Sequence, residues 1–411
     1  MKLVDALRRS LQEIVTNHAA FGREELEPPY VSLRRINIED APFSISLTET
    51  GLELLAALTL EIFKERPALR ELYSEEHVAD LVLDSLVYLG AESQKRDFGK
   101  SAVELLAALP ETRARWYVVT GVENLRLTKG VTIADVELFP AVTASSEPVF
   151  SKVRGRTDAP VDADTFEHFV QSQKPSALAT VEVWAAEETK AIQKALSRID
   201  LTLDLIRLLE PWAAFGITGY HIEGTHALVC VGIDRSLLVE SYEPVSEMWP
   251  GTVTSEVEGM MKTDRRLQRL QEIVMKDQRS DMEGRLVRAL EWFGKGVQQR
   301  EARDRILSCW IALETLLLRP GEPGKAEALS ERAAFLLAGD LDHRRNVFER
   351  GLAAGKTRNS VTHRGELQVT EQDADGCTLL AKDVILAIAG IVDQATTIDA
   401  LKKFLDLQKF A

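Results

Sequence analysis

From about Arg265 to the C-terminus, apolar residues recur with the spacing of α-helices and with little else. Glycine and proline punctuate this stretch and mark joints between helices, at Gly321, Pro323, Gly339, Gly355 and Gly365. The predicted helices span residues 265–277, 281–300, 302–318, 324–338, 341–353, 357–364, 372–392 and 396–409. The pattern therefore predicts an all-α C-terminal region.

The chain before this region mixes helical spacing with the alternation typical of strands. Helices are predicted over residues 2–20, 51–65, 76–108 and 187–209, and strands over 30–48, 116–139 and 177–184. Residues 216–222 and 227–233 suggest a β-hairpin closed by a turn at 223–225. Because 411 residues exceed one ordinary domain, we predict two: a mixed α+β domain over 1–264 and a helical domain over 265–411.

Charge is distributed unevenly between these regions. The formal net charge is −14, and residues 276–411 contain 21 basic and 21 acidic residues, so the first 275 residues carry the whole excess. Between residues 344 and 364 lie six basic residues and one acidic residue. The N-terminal region should repel free polyanions, whereas the helical region tolerates them.

Three cysteines (Cys230, Cys309 and Cys377) are far apart and form no CxxC pair. This pattern disfavours a disulfide framework or a thiolate zinc site and favours a reducing, cytoplasmic environment. No signal peptide or membrane span is expected, because charged residues interrupt the N-terminal apolar stretch and the run 384–392 is too short.

The hexapeptide at residues 358–363 reads Arg-Asn-Ser-Val-Thr-His. We predict that Gly355 ends one helix, that Thr357 caps the next, and that the hexapeptide begins this second helix. Asn359 and His363 then share a face, and free N–H groups at the helix N-terminus face a phosphate. Histidine can exchange a proton near neutral pH, and arginine presents a planar fork of donors to phosphate. This set suits RNA transesterification without a metal or a cofactor.

Glu314 is the candidate partner of this group. Leu307, Trp310, Glu314 and Leu317 are spaced by three and four residues, which predicts that they lie on one helical stripe. A carboxylate facing the core needs a donor, and Arg358 or Arg332 could supply it. The alternative is that Glu314 lies at the edge of the stripe or makes a purely structural salt bridge.

The hexapeptide resembles the RNxxxH signature of HEPN ribonucleases, and its surroundings resemble the Apea-like branch of that family. Residues 310–314 (Trp-Ile-Ala-Leu-Glu) are similar to the family's aromatic-x-Ala-Leu-Glu element, and 329–333 (Leu-Ser-Glu-Arg-Ala) to its Leu-Ser-x-Arg-Ala helix. The resemblance covers about 281–392, and a weaker one covers 116–125. Arg364 separates His363 from Gly365, where the family often has His directly followed by Gly.

The resemblance implies a fold and an activity. The fold class is an α+β N-terminal region followed by an all-α C-terminal HEPN helical bundle that forms a homodimer with two motifs across one cleft. The implied activity is RNA cleavage in bacterial antiviral defence or toxin systems, and transfer RNA is the substrate expected by analogy. His363 would be the general acid/base, and Arg358 would stabilise charge. Asn359 would orient the histidine or donate to the phosphate, and Glu314 would orient Arg358. Lys356 and Arg364 are predicted RNA contacts.

Two other function classes remain open. In the first, the helical domain is a non-catalytic dimerisation or RNA-binding module. In the second, the chain is an adaptor whose N-terminal region binds a protein or nucleotide. In the nuclease hypothesis, that N-terminal region senses a phage-derived trigger or restrains the enzyme, alone or with an inhibitory partner.

Two further motifs favour structural roles. His221, His226 and Cys230 suggest a metal site, but the hairpin turn separates the histidines and no fourth ligand is near. Residues 321–325 resemble part of a phosphate loop but lack its spacing, so a loop between helices is favoured.

Overall fold

The computed structural model describes residues 2–22, 31–38, 41–91, 97–140, 176–213, 215–217, 226–232, 238–242, 251–364 and 369–409. Only the backbone is described at residues 22, 31–38, 41–44, 91, 216, 226–232, 238–242, 363 and 364. The chain divides into two compact units, residues 1–116 with 183–194 and residues 117–182 with 195–411. The domain boundary predicted between residues 264 and 265 lies inside the second unit.

Among the described residues, four α-helices lie wholly within the first unit, together with a small antiparallel sheet. The helices are α1 (Lys2–Glu13), α2 (Glu49–Glu65), α3 (Glu75–Ala91) and α4 (Phe98–Ala107). The strands β1 (Ala19–Gly22), β2 (Val31–Ile38) and β3 (Ala41–Leu47) pair in the order β1-β3-β2. Apolar side chains of the helices and of β3 form its core, including Leu7, Leu11, Ile45, Ile62 and Val82, all fully buried. The predicted mixture of helix and strand is confirmed here.

A larger sheet occupies the middle of the chain. Its strands are β4 (Ala114–Glu123), β6 (Val131–Ile133), β7 (Val136–Pro140), β8 (Ala177–Ala185), β9 (Gly216–Ile217), β10 (His226–Gly232) and β11 (Leu238–Tyr242). Two further strands, β5 (Leu125–Leu127) and β12 (Gly251–Val253), form a separate parallel pair. The strand order of the larger sheet is β11-β10-β4-β8-β7-β6, and β9 also pairs with β4. Most of the predicted hairpin between 216–222 and 227–233, including its turn, lies outside the described residues; of its described parts, β10 forms an antiparallel pair with β11, and β9 pairs with β4. Alternation within a strand does not specify its partner.

The second unit is mostly helical, and after β12 its described elements are all helices. The helices of the second unit are α5 (Glu188–Leu209), which begins in the first unit, α6 (Ser255–Thr263), α7 (Arg265–Met275), α8 (Asp281–Val297), α9 (Ala302–Leu317), α10 (Lys325–Leu337), α11 (Leu341–Arg364), α12 (Glu371–Ile391) and α13 (Ile398–Gln408). The predicted helical C-terminal region is confirmed. Helices α8 to α12 pack on one another around buried side chains such as Leu286, Phe293, Leu313 and Ile385. Capping boxes at Ser280 and Thr370 begin α8 and α12.

Helix α11 is continuous, so the predicted break at Gly355 and the predicted N-cap at Thr357 are wrong. The Thr357 hydroxyl instead donates to the carbonyl of Ala353 inside the helix. Gly355 is required for packing: a Cβ there would lie 2.9 Å from Trp310 Cη2 and 2.8 Å from Ala326 Cβ. This close approach of α9, α10 and α11 offsets the cost of a glycine within a helix, about 1 kcal/mol.

Within the described ranges, no helix has both the length and the apolar character needed to cross a membrane.

Candidate functional site

The hexapeptide at residues 358–363 lies in the last two turns of α11, not at the start of a helix. The carbonyl groups at a helix C-terminus are unpaired and carry partial negative charge, while the free N–H groups are at the opposite end. The predicted contribution of main-chain N–H groups to phosphate binding is therefore wrong for this helix. An anion at this position must be bound by side chains.

Arg358 and Asn359 both lie at the surface of this end of α11. Nη1 of Arg358 donates a hydrogen bond to Oδ1 of Asn359 over 3.1 Å, and the Arg358 side chain is 24% exposed. Among the described residues, the guanidinium makes no other hydrogen bond. Other N–H groups of the Arg358 guanidinium thus remain available to a ligand, while Asn359 fixes one edge of that guanidinium.

Glu314 lies beside Arg358, at the edge of the buried face of α9. The core face of α9 is formed by fully buried residues such as Ile306, Cys309 and Leu313, whereas Glu314 is 20% exposed. The structure therefore matches the alternative location that the sequence left open. Oε1 of Glu314 accepts a hydrogen bond from the indole N–H of buried Trp310 over 2.7 Å. This bond anchors the carboxylate to the core.

The Glu314 carboxylate attracts two cations. Oε1 lies 3.8 Å from Nη2 of Arg358, which is an ion pair rather than a hydrogen bond. Oε2 accepts a hydrogen bond from Nζ of Lys325 over 3.2 Å. Of the two partners predicted for Glu314, the structure places Arg358 beside it, whereas Arg332 pairs with Glu322 and donates to the carbonyl of Leu317. Arg332 therefore belongs to the joint between α9 and α10.

Lys325 is the member of this cluster that sequence reasoning missed. It is the first residue of α10 and follows the loop 318–324, where Gly321 and Gly324 adopt positive φ angles of 74° and 61°. These left-handed glycines confirm the predicted loop between helices. Glu314 lies on α9 and Lys325 on α10, so periodicity within one helix does not relate them, and only the reversal of the chain at this loop brings them together.

The structure describes the remaining predicted site residues only in part. Lys356 is exposed and, in the part of the chain that the structure describes, makes no hydrogen bond or ion pair. The backbones of His363 and Arg364 form the last residues of α11, and their side chains lie outside the description. His363 follows Asn359 by four residues on the same helix, the spacing that places two positions on one face.

The candidate metal ligands of the hairpin fall on undescribed parts of the chain. His221 lies outside the described residues, and His226 and Cys230 are described only as backbone of β10. Among the side chains that are described, no group of three or more His, Cys, Asp or Glu residues is arranged to hold a metal ion.

Comparisons with models of protein families, with curated proteins and with solved structures found no match. The functional argument therefore depends on the residues of this chain.

Proposed function

We propose that this chain is a metal-independent endoribonuclease whose helical bundle is of the HEPN type. The observation that carries the proposal is the surface cluster at the end of α11. There Arg358 is flanked by Asn359 and by the anchored carboxylate of Glu314, and His363 follows one helical turn after Asn359. The resemblance of residues 281–392 to Apea-like HEPN domains supports the same activity.

The proposed reaction is an attack of the ribose 2′-hydroxyl on the adjacent phosphorus. The O2′–P bond forms as the P–O5′ bond breaks, a base takes the 2′ proton, and an acid gives one to the leaving 5′-oxygen. His363 is the proposed proton-transfer group, and Arg358 stabilises the charge that develops on the non-bridging oxygens. The products are a 2′,3′-cyclic phosphate and a 5′-hydroxyl. Lys356 and Arg364 are proposed contacts to the RNA backbone.

The biological setting belongs to the same proposal. A homodimer would bring two motifs to one cleft, and the acidic N-terminal region would restrain the nuclease until a phage-derived trigger or the loss of an inhibitory partner releases it. Transfer RNA is the proposed substrate class by analogy with the family that the chain resembles. A cytoplasmic location fits such a substrate.

The test is cleavage of total RNA by purified protein in EDTA, with mapping of the new ends. We expect cyclic phosphate ends with wild type and no cleavage with Arg358→Ala or His363→Ala. Arg345→Ala is the matched control, because Arg345 is an exposed arginine on α11 outside the motif, and it should cleave like wild type.

Cleavage that persists in both motif variants, or that needs a divalent ion, would contradict the proposal. If wild-type protein binds RNA without cutting it, the helical domain is instead a non-catalytic RNA-binding or dimerisation module.

A further inference from the structure

A concave surface of about 300 Å³ lies between α8, α9 and the start of α10. Four basic side chains line it, from Arg285, Arg288, Arg319 and Lys325, against the single carboxylate of Glu314. All of these side chains are described and belong to the second unit. Such an excess of positive charge in a depression attracts anions, because the low-dielectric walls focus the field.

The four cations differ in how free they are to bind a ligand. Arg285 is structural: it pairs with Asp281 over 3.2 Å and donates to the carbonyl of Thr315 over 2.9 Å. Arg319 pairs with Asp399, and its side chain is about half exposed. Arg288 is exposed and makes no hydrogen bond or ion pair with any other described residue. Arg288 is therefore the cation available without breaking an existing interaction.

This surface is continuous with the proposed catalytic group. Lys325 lines the concave surface, and its Nζ donates to the same Glu314 carboxylate that pairs with Arg358. Glu314 therefore stands between the arginine of the motif and the basic surface.

We propose that the surface is a subsite for single-stranded RNA, where Arg288, with Lys325 and Arg319, binds a phosphate of the strand beside the one being cleaved. The proposal rests on the proposed nuclease function for its choice of ligand. Arginine suits this role because its planar fork can donate two hydrogen bonds to one phosphate. Such contacts position the strand and carry no sequence preference.

The experiment measures binding separately from cleavage. A short fluorescent RNA with 2′-O-methyl riboses cannot be cut by 2′-hydroxyl attack, so its anisotropy reports binding alone. Wild type, Arg288→Ala and Arg265→Ala are titrated at several salt concentrations, and ATP is added as a competitor. Arg265 is the matched control: it is an exposed arginine in the same unit, on α7, and does not line the surface.

We expect Arg288→Ala to weaken binding several-fold and to make the negative slope of log affinity against log salt shallower by about 0.7, which corresponds to the loss of one phosphate contact on a single strand. Arg265→Ala should keep the wild-type slope. Binding by Arg288→Ala that equals wild type, an equal loss in the control, displacement of the RNA by ATP, or no binding by wild type would each overturn the subsite. Reduced binding by Arg288→Ala alone supports it even if wild type cuts no RNA, a result that would reject only the nuclease.

Discussion

Individual residues in the second unit show how burial changes acid–base behaviour. Asp204 on α5 is almost completely buried and pairs with Arg207, which also donates to the carbonyl of Phe215. Burial raises the pKa of Asp204 to about 7, against the opposing effect of Arg207. Gly294 on α8 makes room for this carboxylate, since a Cβ there would lie 1.7 Å from Oδ1 of Asp204.

This raised pKa predicts a pH dependence of stability. Between the ordinary pKa of an aspartate and about 7, the folded protein holds a proton at Asp204 that the unfolded chain releases, so the free energy of unfolding falls as pH rises through this range. The side chain of Asp204→Asn cannot ionise, so this variant should lose less stability than wild type as pH rises. The difference between the two losses should be on the order of a few kcal/mol. Urea midpoints of both proteins at about pH 5 and about pH 7.5 measure it. Equal losses would contradict the assignment.

At the candidate site, the proposed role of Glu314 is to position Arg358. In Glu314→Gln the amide oxygen can still accept from Trp310, but the negative charge that attracts Lys325 and Arg358 is gone. We expect the cleavage rate to fall about tenfold, or ~1.4 kcal/mol of transition-state free energy. Stability should change by less than about 1 kcal/mol, because the ion pairs are partly exposed.

Initial cleavage rates and urea midpoints measure these two effects. Glu331→Gln is the control, because it removes a partly exposed carboxylate paired with Lys409 over 2.8 Å, outside the cluster. Unchanged cleavage in Glu314→Gln, or an equal fall in Glu331→Gln, would show that Glu314 does not position Arg358.

At the scale of elements, glycines decide whether the helices of the bundle can approach one another. Gly355→Ala would force a methyl group against Trp310 and Ala326, and overpacking of this kind costs about 1–3 kcal/mol. Gly376→Ala is the matched control: Gly376 lies inside α12 with nothing within 4 Å of an added Cβ. That change should stabilise by about 0.5–1 kcal/mol. Urea unfolding of both variants measures the sign of each change in the free energy of unfolding. An increase in Gly355→Ala would refute the packing argument.

The same glycines explain what the sequence could and could not predict. The ends of α8, α9 and α10 follow from apolar spacing and glycine joints, and the structure confirms them within a few residues. In the sequence alone, Gly355 resembles another joint between helices. In the structure, its role is to leave space for the side chain of Trp310, which is 45 residues away in the sequence. Lys325 was missed for the same reason, because its partner Glu314 lies on another helix. Asp204 pairs with Arg207 on its own helix, but its burial against Gly294 of α8 depends on the fold. Local pattern predicts elements, whereas contacts between elements need the fold.

For the whole molecule, the decisive prediction concerns the homodimer. If each cleft is built from two copies of the motif, one inactive copy should impair a site that also contains an active one. We expect a heterodimer of wild type and His363→Ala, co-expressed with two tags and purified on both, to cleave RNA far more slowly per wild-type chain than the wild-type homodimer. A doubly tagged wild-type dimer purified in the same way controls for the tags. Sites contained within single chains would instead leave the rate per wild-type chain unchanged, and failure to recover any doubly tagged protein would reject the dimer itself.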